Sequence, residues 1–493
     1  MNNTTPRTRF APSPTGEPHV GNIRTAIFAW LFAKANNGSF IIRIEDTDQA
    51  RLVEGAIDSI LQSLSWLGIN WDEGPDKGGK YGPYMQSERQ KLGIYSRAVE
   101  TLLKNGKAYY CSCSSERLDQ LRKTQSKAGK PPGYDGYCRN KDEKQVLDES
   151  VQQVVRFAMP QLGVTKVTDT IRGNIEFENS LIDDFVILKS DGFPTYHLAN
   201  VVDDNAMEIS HVIRAEEWLP SLPRHINLYK ALELEPPIFA HVPIILASDR
   251  TKLSKRHGAT SIKEFRSNGY LPSAMLNFLC LLGWSLDDKT EIFSEKELIN
   301  YFSIERVSKS SAVFDNQKLE WMNGYYIRES DISDLISNLL NYWDDFPVET
   351  FDIEPTTAKL EAVVPLIQDR IKTLQEAGPM INFLFSKGIS YDAELLIQKK
   401  MDCKSTIGAL NETLRVIEKT DPFKASNIED SLRLLADRLS IKPGQLFGTL
   451  RIATTGQRVS PPLFESLEII GKDTTIESIN LAVQKLNTYG DVN

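Results

Sequence analysis

A chain of 493 residues with 41% apolar and 25% charged residues is too long for one hydrophobic core, so about two to four domains of an ordinary globular protein are expected. No stretch approaches the ~20 apolar residues of a membrane span, which argues against a membrane protein, and the N-terminal Met-Asn-Asn-Thr-Thr-Pro-Arg lacks the apolar centre of a signal peptide. A formal net charge of -9 neither supports nor excludes a nucleic-acid partner, because a polyanion needs only a local basic face.

Residues 8–11 read as a short buried strand, followed by a Pro/Gly-rich turn and a helix from about Val20, whose Ile23, Ala26, Ile27, Trp30 and Leu31 fall at helical spacing. Asn37-Gly38 ends the helix, and residues 40–44 read as the next strand. This is a βαβ unit of a doubly wound parallel sheet, with its crossover helix starting where such sheets bind nucleotides. Helical patterns follow over about 53–67 and 87–103, the second stopped by Asn105-Gly106, and Ala108-Tyr109-Tyr110 is expected to return to the sheet. Residues 111–189 change texture, Gly/Pro-rich first and then with short alternating segments at 154–158 and 174–178, as in an inserted subdomain. A strand-and-site pattern resumes over 193–203 and 208–215, and 241–247 reads as a strand feeding a loop at Lys252. Beyond Gly258 helices dominate, with 273–282 strongly apolar, and all six histidines precede this point. From about residue 330 onward the pattern is amphipathic helix with few strand signals and no internal repeat.

Two segments carry most of the chemistry. In Pro12-Ser13-Pro14-Thr15-Gly16-Glu17-Pro18-His19-Val20-Gly21-Asn22, the Gly and Pro residues fix a tight turn, and the first N–H groups of the following helix face any bound anion. His19 sits at that helix start, where an imidazole donates to a phosphate oxygen whose charge grows in a transition state; losing one such donor costs about 10²–10³ in rate. Gly21 leaves room for a nucleotide base. Lys252-Leu253-Ser254-Lys255-Arg256 packs three cations and a serine after a strand, suited to neutralising a triphosphate as pyrophosphate leaves. Taken singly, each also reads as something plainer: a helix cap after a Pro-rich turn, and a solvated basic loop.

Charged residues on buried-looking strands mark a second constellation. Arg9 ends the first strand, Arg43-Ile44-Glu45-Asp46-Thr47-Asp48 ends the second, and Arg214 lies within an apolar run from Ile209. Unpaired buried charge is costly, so such residues are either paired with one another or hold a ligand.

In order and separation, the two segments resemble the HIGH and KMSKS signatures of class I aminoacyl-tRNA synthetases, and Pro-Ser-Pro-Thr-Gly-x-x-His-Val-Gly has the form of the glutamyl and glutaminyl branch. Leu253 and Arg256 replace the Met and Ser of the second signature, and Asn22 replaces the second His of the first, departures usual in the glutamyl branch. The resemblance to bacterial-type glutamyl-tRNA synthetases runs from Thr8 nearly to the C-terminus. It implies an α/β fold: a Rossmann-like doubly wound parallel sheet with an inserted acceptor-binding subdomain, then all-helical anticodon-binding domains. The implied divisions are 1–110 and 191–258 (catalytic halves), 111–190 (insert), 259–329 (stem contact) and 330–493 (anticodon binding).

The resemblance further implies that ATP, with Mg²⁺, meets Gly16, His19, Gly21, Asn22, Lys252, Ser254 and Lys255, of which His19, Lys252 and Lys255 are catalytic. Arg9, Tyr196 and Arg214 would hold the side-chain carboxylate of L-glutamate, and Ser13, Glu45 and Asn200 its α-amino and α-carboxyl ends. A guanidinium pair favours glutamate over glutamine, whose neutral amide presents donors to donors. Residues 450–464 read as a polar interhelical loop and resemble the anticodon-reading segment, with Arg451, Ser460 and Leu463 at the base-contact positions; splayed bases are what sequence-specific RNA recognition targets. Glutamyl-adenylate would form first, after tRNA(Glu) has bound, and glutamate would then pass to the tRNA 3′-terminal adenosine. The family implies a monomer. A glutaminyl-type enzyme, a truncated transferase acting on a tRNA base, and an inactive tRNA-binding paralogue are alternatives; the helical C-terminal pattern, the retained anticodon region and the intact His19, Lys255, Arg9 and Arg214 weigh against them in turn, whereas a non-discriminating enzyme that also charges tRNA(Gln) stays open.

Five cysteines, three of them clustered, argue against a disulfide framework and for a reducing, cytoplasmic setting. Cys111-Ser112-Cys113 with Cys138 suggests a zinc site. Zinc-bearing members of the resembled family have Cys-x-Cys and then Cys-x-His, but here Asn140 stands at the last position. A related tRNA-modifying homologue uses a tyrosine four residues before its last cysteine, the place held here by Tyr134, so Cys111, Cys113, Tyr134 and Cys138 form one candidate ligand set. Three thiols left from a lost site are the other. Cys280 lies in an apolar helix and reads as core.

Overall fold

Strand β1 (Arg7–Phe10) and helix α1 (Val20–Ala35) set the frame of the site. The helix buries Val20, Ile23, Ala26, Phe28, Trp30, Leu31 and Ala33, residues that cover its whole circumference, so it lies inside the fold and does not cap it with one apolar stripe. At its end a Cβ on Gly38 would stand 2.0 Å from the Pro6 carbonyl oxygen, so only glycine lets the chain turn there into β2 (Ser39–Ile42). β2 pairs in parallel with β1, completing the expected βαβ unit. The structure, a computed structural model, describes residues 5–141 and 153–492.

The chain then runs through α2 (Ala56–Trp66), α3 (Gln86–Lys91), α4 (Ile94–Lys104), β3 (Ala108–Cys111) and α5 (Ser115–Lys127). After these come β4 (Val154–Phe157), β5 (Val164–Asp169), β6 (Gly173–Glu178), β7 (Val186–Leu188), α6 (Tyr196–Ala206), β8 (His211–Ala215), α7 (Leu222–Ala231), β9 (Ile238–Val242), β10 (Ile245–Leu246) and, much later, β11 (Ala312–Val313). The principal sheet has six strands in the order β2-β1-β8-β9-β5-β6, parallel throughout except for the edge strand β6, which returns antiparallel on β5. The chain reverses its winding between β1 and β8, and a crevice opens there beyond the carboxyl ends of both strands.

Several local expectations need correction. The helix expected over 87–103 is two helices, because Gly93 adopts φ 67 and breaks α3 from α4. β3 does not return to the principal sheet; it joins β4 and β7 in a separate three-stranded antiparallel sheet. In contrast, β5 and β6, from the segment whose texture suggested an insertion, belong to the principal sheet. Residues 193–203 are largely helix α6 and not strand. The strand expected over 241–247 ends at Val242, and β10 pairs separately with β11. Residues 450–455 are the last turns of the helix Pro443–Thr455, so only 456–462 form the interhelical loop.

The chain divides into two compact units, residues 1–265 with 275–316, and residues 266–274 with 317–493. Among the described residues no strand lies beyond Val313, in keeping with the expected helical C-terminal region. That second unit buries one apolar cluster around Leu339, Val363, Ile367 and Phe385 and another around Leu410, Ile417, Leu435 and Leu450. Its Cys403 thiol lies 3.2 Å from the Leu486 carbonyl oxygen. Cys280 is fully buried, as expected of a core residue.

Candidate active site

The crevice beyond β1 and β8 is a cavity of about 530 Å³ lined by, among others, Arg9, Ser13, Asn22, Glu45, Tyr196, Asn200, Arg214 and Trp218. All six residues expected to hold the amino acid line it. β1 delivers Arg9, the turn after it Ser13, the segment just beyond β2 Glu45, one face of α6 both Tyr196 and Asn200, and β8 Arg214. Tyr196 and Asn200 stand one helical turn apart and so share that face.

Beneath the cavity lies a buried ionic network. Arg9 donates through Nε and Nη2 to the two carboxylate oxygens of Asp204, at 3.1 and 3.2 Å. Arg43 donates to Asp204 at 2.7 Å and to Glu45 at 3.1 Å, and Asn200 also donates to Glu45 at 3.1 Å. Arg89 donates to Asp203 at 2.6 Å, with Gln86 at 2.8 Å and Tyr95 at 2.9 Å on its other oxygen. Arg9, Arg43 and Arg89 therefore balance Glu45, Asp203 and Asp204, as buried charge requires. Burial works against the Arg43 charge, but Asp204, Asp203 and Glu45 more than reverse this and hold its pKa well above the ordinary value. Burial pushes the Glu45 carboxyl up, against the pull of Arg43 and Arg9.

Arg214 differs. Its Nε donates to Nε2 of His241 at 2.9 Å, and its Nη1 donates to the Tyr196 hydroxyl at 3.1 Å and to Nδ1 of His225 at 3.2 Å. These partners are neutral. Among the described residues no carboxylate ion-pairs with Arg214, and its buried Nη2 has no hydrogen-bond partner. A buried cation with an unmet donor at the wall of a cavity is a receptor for an anion. Trp218, 42% exposed, lies against Tyr196 with ring centroids 4.3 Å apart and closes that side.

Of the residues expected to meet ATP, Asn22 is in the lining of the cavity and Gly16, His19, Gly21, Lys252, Ser254 and Lys255 are not. His19 is the N-cap of α1: its Nδ1 accepts from the Gly21 N–H at 3.1 Å, and its Nε2 is buried and unpartnered. Burial lowers the His19 pKa, and the Lys252 charge lowers it further, so the imidazole is neutral with one nitrogen available to donate. A Cβ on Gly21 would lie 3.4 Å from that Nδ1, an ordinary contact, so local packing does not itself demand glycine there, while Gly16 at φ 133 makes the preceding turn. Lys252 and Lys255 are exposed, and Lys252 ion-pairs with Glu217. Ser254 caps the single turn Lys255–His257, its N–H donating to Nδ1 of His257 at 3.1 Å. The two motifs meet just past this loop, where the Val20 N–H donates to the Thr260 carbonyl at 2.9 Å.

The cysteine cluster is formed. The sulfurs of Cys111, Cys113 and Cys138 all lie within 4.8 Å of one another, those of Cys113 and Cys138 being 3.5 Å apart. The Tyr134 hydroxyl stands 3.5 Å from the Cys111 sulfur and 3.6 Å from that of Cys113. A tetrahedral zinc site with Zn–S near 2.3 Å and Zn–O near 2.0 Å needs about 3.8 Å between sulfurs and about 3.5 Å from sulfur to oxygen, so the three thiols could hold the ion and the Tyr134 hydroxyl stands at ligand-like distances from two of them. Burial opposes ionisation of Cys111, yet its hydrogen bond with Tyr134 and Arg156, at 3.3 Å, bring the thiol below its ordinary value.

In the second unit, Arg451 Nη1 donates to the Ser460 hydroxyl and to the Pro461 carbonyl at 2.8 Å, and Ser460 and Leu463 are buried. Of the three residues singled out for the anticodon, Arg451 and Ser460 thus meet directly, with Arg451 half-buried, and Leu463 belongs to the apolar core beside them. Arg370 adds a donor to the Ser460 carbonyl at 3.3 Å. Residues that the sequence reading missed are the carboxylates Asp203 and Asp204 and the buried histidines His225 and His241. The adjacent acidic pair within the apolar run Leu198–Ala206 was the available signal.

Residues 6–321 match the family model described as the catalytic domain of class I tRNA synthetases (E and Q), and residues 334–483 match an anticodon-binding domain. A glutamate–tRNA ligase of Dehalococcoides mccartyi is 53% identical over 481 residues, 98% of each chain. One from Moorella thermoacetica is 43% identical over 97% of this chain and 98% of its own. The crystal structure of a glutamate tRNA ligase from Elizabethkingia meningosepticum, in complex with its amino acid, superposes with a TM-score of 0.85 at 36% identity, covering 98% of this chain and 100% of that one. Catalytic and anticodon-binding matches in this order, with relatives alike along their whole length, mean that the chain belongs to the glutamate–tRNA ligases of class I.

Proposed function

We propose that the chain activates L-glutamate with ATP, which brings its Mg²⁺ as part of the substrate, and transfers glutamate to the 3′-terminal adenosine of tRNA(Glu). The observation that carries the amino-acid assignment is Arg214, the buried guanidinium with no carboxylate partner among the described residues and an unmet Nη2 at the cavity wall. The glutamate side-chain carboxylate meets it, with Tyr196 beside it and Arg9 behind. Ser13, Glu45 and Asn200 take the α-amino and α-carboxyl ends. In the first step an α-carboxylate oxygen bonds to the α-phosphorus as the α–β phosphoanhydride breaks, releasing pyrophosphate. His19 Nε2 donates to the phosphate oxygens that gain charge, with Gly16, Gly21, Asn22 and Ser254 shaping the nucleotide site. Lys252 and Lys255 neutralise the leaving pyrophosphate. In the second step a terminal ribose hydroxyl attacks the adenylate carbonyl and AMP leaves. No protein nucleophile is required; catalysis is positioning and charge stabilisation.

Cys111, Cys113, Tyr134 and Cys138 would hold a structural zinc that ties down the acceptor-binding segment. It has no part in the chemistry. Arg451, Ser460 and Leu463 form the anticodon-side contact, and the enzyme works as a cytoplasmic monomer. The experiment is ATP–pyrophosphate exchange with tRNA(Glu) present, followed by parallel charging of purified tRNA(Glu) and tRNA(Gln). Glutamate-dependent exchange is expected, and its absence would overturn the activity.

A further inference from the structure

Besides Tyr196, Arg214 is held by side chains outside the set that the resemblance implies. A guanidinium has no acceptor, so Nε2 of His241 accepts from Arg214 Nε, and the ring proton sits on Nδ1. That nitrogen lies 2.7 Å from Oδ2 of Asp169 and donates to it. Asp169 in turn accepts from the backbone N–H groups of Ile171 at 3.0 Å, Arg172 at 2.8 Å and His241 at 3.1 Å. The three side chains come from the adjacent parallel strands β5, β9 and β8, with Arg214 and His241 opposite each other in register. Asp169 is 1% exposed, His241 0% and Arg214 5%.

The contrast with Arg9 is chemical. Asp204 takes Nε and Nη2 of Arg9 directly and neutralises it. A carboxylate placed that way on Arg214 would compete with any acidic ligand. Here the carboxylate stands one imidazole away: a neutral acceptor fixes the plane of the guanidinium, and Asp169 fixes the tautomer of that acceptor. The charge of Arg214 is left for the ligand.

We propose that Asp169 and His241 are positioning residues that aim Arg214 Nη2 at the side-chain carboxylate of the substrate and so set the choice of glutamate over glutamine. This rests on the assignment of Arg214 to that carboxylate. The groups facing His241 are Asp169 from β5, Arg214 from β8, His225 from α7 and Arg172, which donates to the His241 carbonyl at 3.3 Å. Burial keeps the His241 imidazole below its ordinary pKa, against the hydrogen bond to Asp169 and with the charges of Arg214 and Arg172. Protonation would turn Nε2 into a donor facing a donor.

The test is Asp169→Asn, which keeps the shape but turns an N–H toward Nδ1 of His241. The ring proton then moves to Nε2 and opposes Arg214, the tautomer error that a carboxylate-to-amide change produces behind other functional histidines. In ATP–pyrophosphate exchange with tRNA(Glu) present, the glutamate KM should rise about ten- to a hundredfold, with the ATP KM within about twofold and glutamate-over-glutamine preference reduced. His241→Phe should give the same defect. His241→Gln, which restores an acceptor near the position of Nε2, should recover most of it and, with no ring to protonate, should lack the rise in glutamate KM toward acid that protonation of His241 is expected to give the parent. Folded Asp169→Asn and His241→Phe variants with the parental glutamate KM would overturn the proposal, while a selection defect in Arg214→Gln would leave the pocket assignment standing. If Arg214→Gln also keeps the parental KM, the pocket assignment itself fails. A fall in kcat with both KM values unchanged would mean a purely structural role and would also overturn it. Should Asp169→Asn not fold, the two His241 variants decide, and equal KM values in both overturn the proposal.

Discussion

Replacing Arg214 by glutamine is the most direct test of substrate selection. The change removes the one buried guanidinium at the cavity wall that, among the described residues, no carboxylate balances, and with it donors to His241, Tyr196 and His225. Leaving a buried carboxylate without its cation costs about 3–5 kcal/mol. The glutamine amide can return one neutral hydrogen bond worth about 1 kcal/mol. The net loss is therefore about 2–4 kcal/mol, or about 30- to 700-fold in kcat/KM for glutamate at 1.4 kcal/mol per tenfold. Activation of glutamine should fall far less, because it never used the charge. The assay is pyrophosphate exchange with tRNA(Glu) and saturating ATP, run with both amino acids, with circular dichroism to verify folding. The ATP KM should change by less than about threefold, since the phosphate motif and Arg214 share no partner. An unchanged glutamate-to-glutamine ratio in the folded variant would refute the assignment.

His19→Ala and Lys255→Ala should each cut adenylate formation by about 10² or more, if each supplies one transition-state contact, and pyrophosphate exchange within a few-fold of the parent in both would remove them from the chemistry. His19→Ala also loses the N-cap of α1, a cost of about 1 kcal/mol readable as a small fall in melting temperature. Protein purified without chelators should carry one zinc per chain, which Tyr134→Phe loosens while leaving exchange largely intact; metal analysis reads both, and absence of zinc from the parent rejects the site. Stability should also depend on acid. The pKa of His197 is lowered to about 4, mainly by burial and next by Arg224, and those of His225 and His241 are lowered as well, so the unfolded chain binds protons that the folded chain refuses. This stability is fully present above about pH 6.5 and is lost as pH falls below it, His197 alone contributing roughly 3 kcal/mol. A melting temperature flat from pH 8 to pH 5 would contradict it.

Local signals were strong where one residue decides one feature. Gly38 ends α1 because its neighbour leaves no room for a Cβ, and the Pro/Gly turn before His19 sets a helix start against which an anion can rest. The break at Gly93 was equally local and went unread, because the apolar spacing continues across it and conceals a left-handed residue. Strand partnership was not local at all. Short strands such as β3 and β5 carry similar alternation, and nothing in either says which sheet it will join.

The sequence by itself displayed the Pro/Gly turn with His19, the cationic loop at Lys252, the charged strand ends, the clustered cysteines and the helical character of the C-terminal region, because each follows from spacing or residue chemistry within one segment. Only the tertiary structure decided which of the buried arginines is free to meet a ligand. Arg9 and Arg214 look alike on their strands, but α6 sets Asp204 against the first, and β9 with β5 sets a neutral imidazole and a distant carboxylate against the second. Charge compensation depends on distances between chain segments far apart in order, and those distances exist only once the sheet has formed.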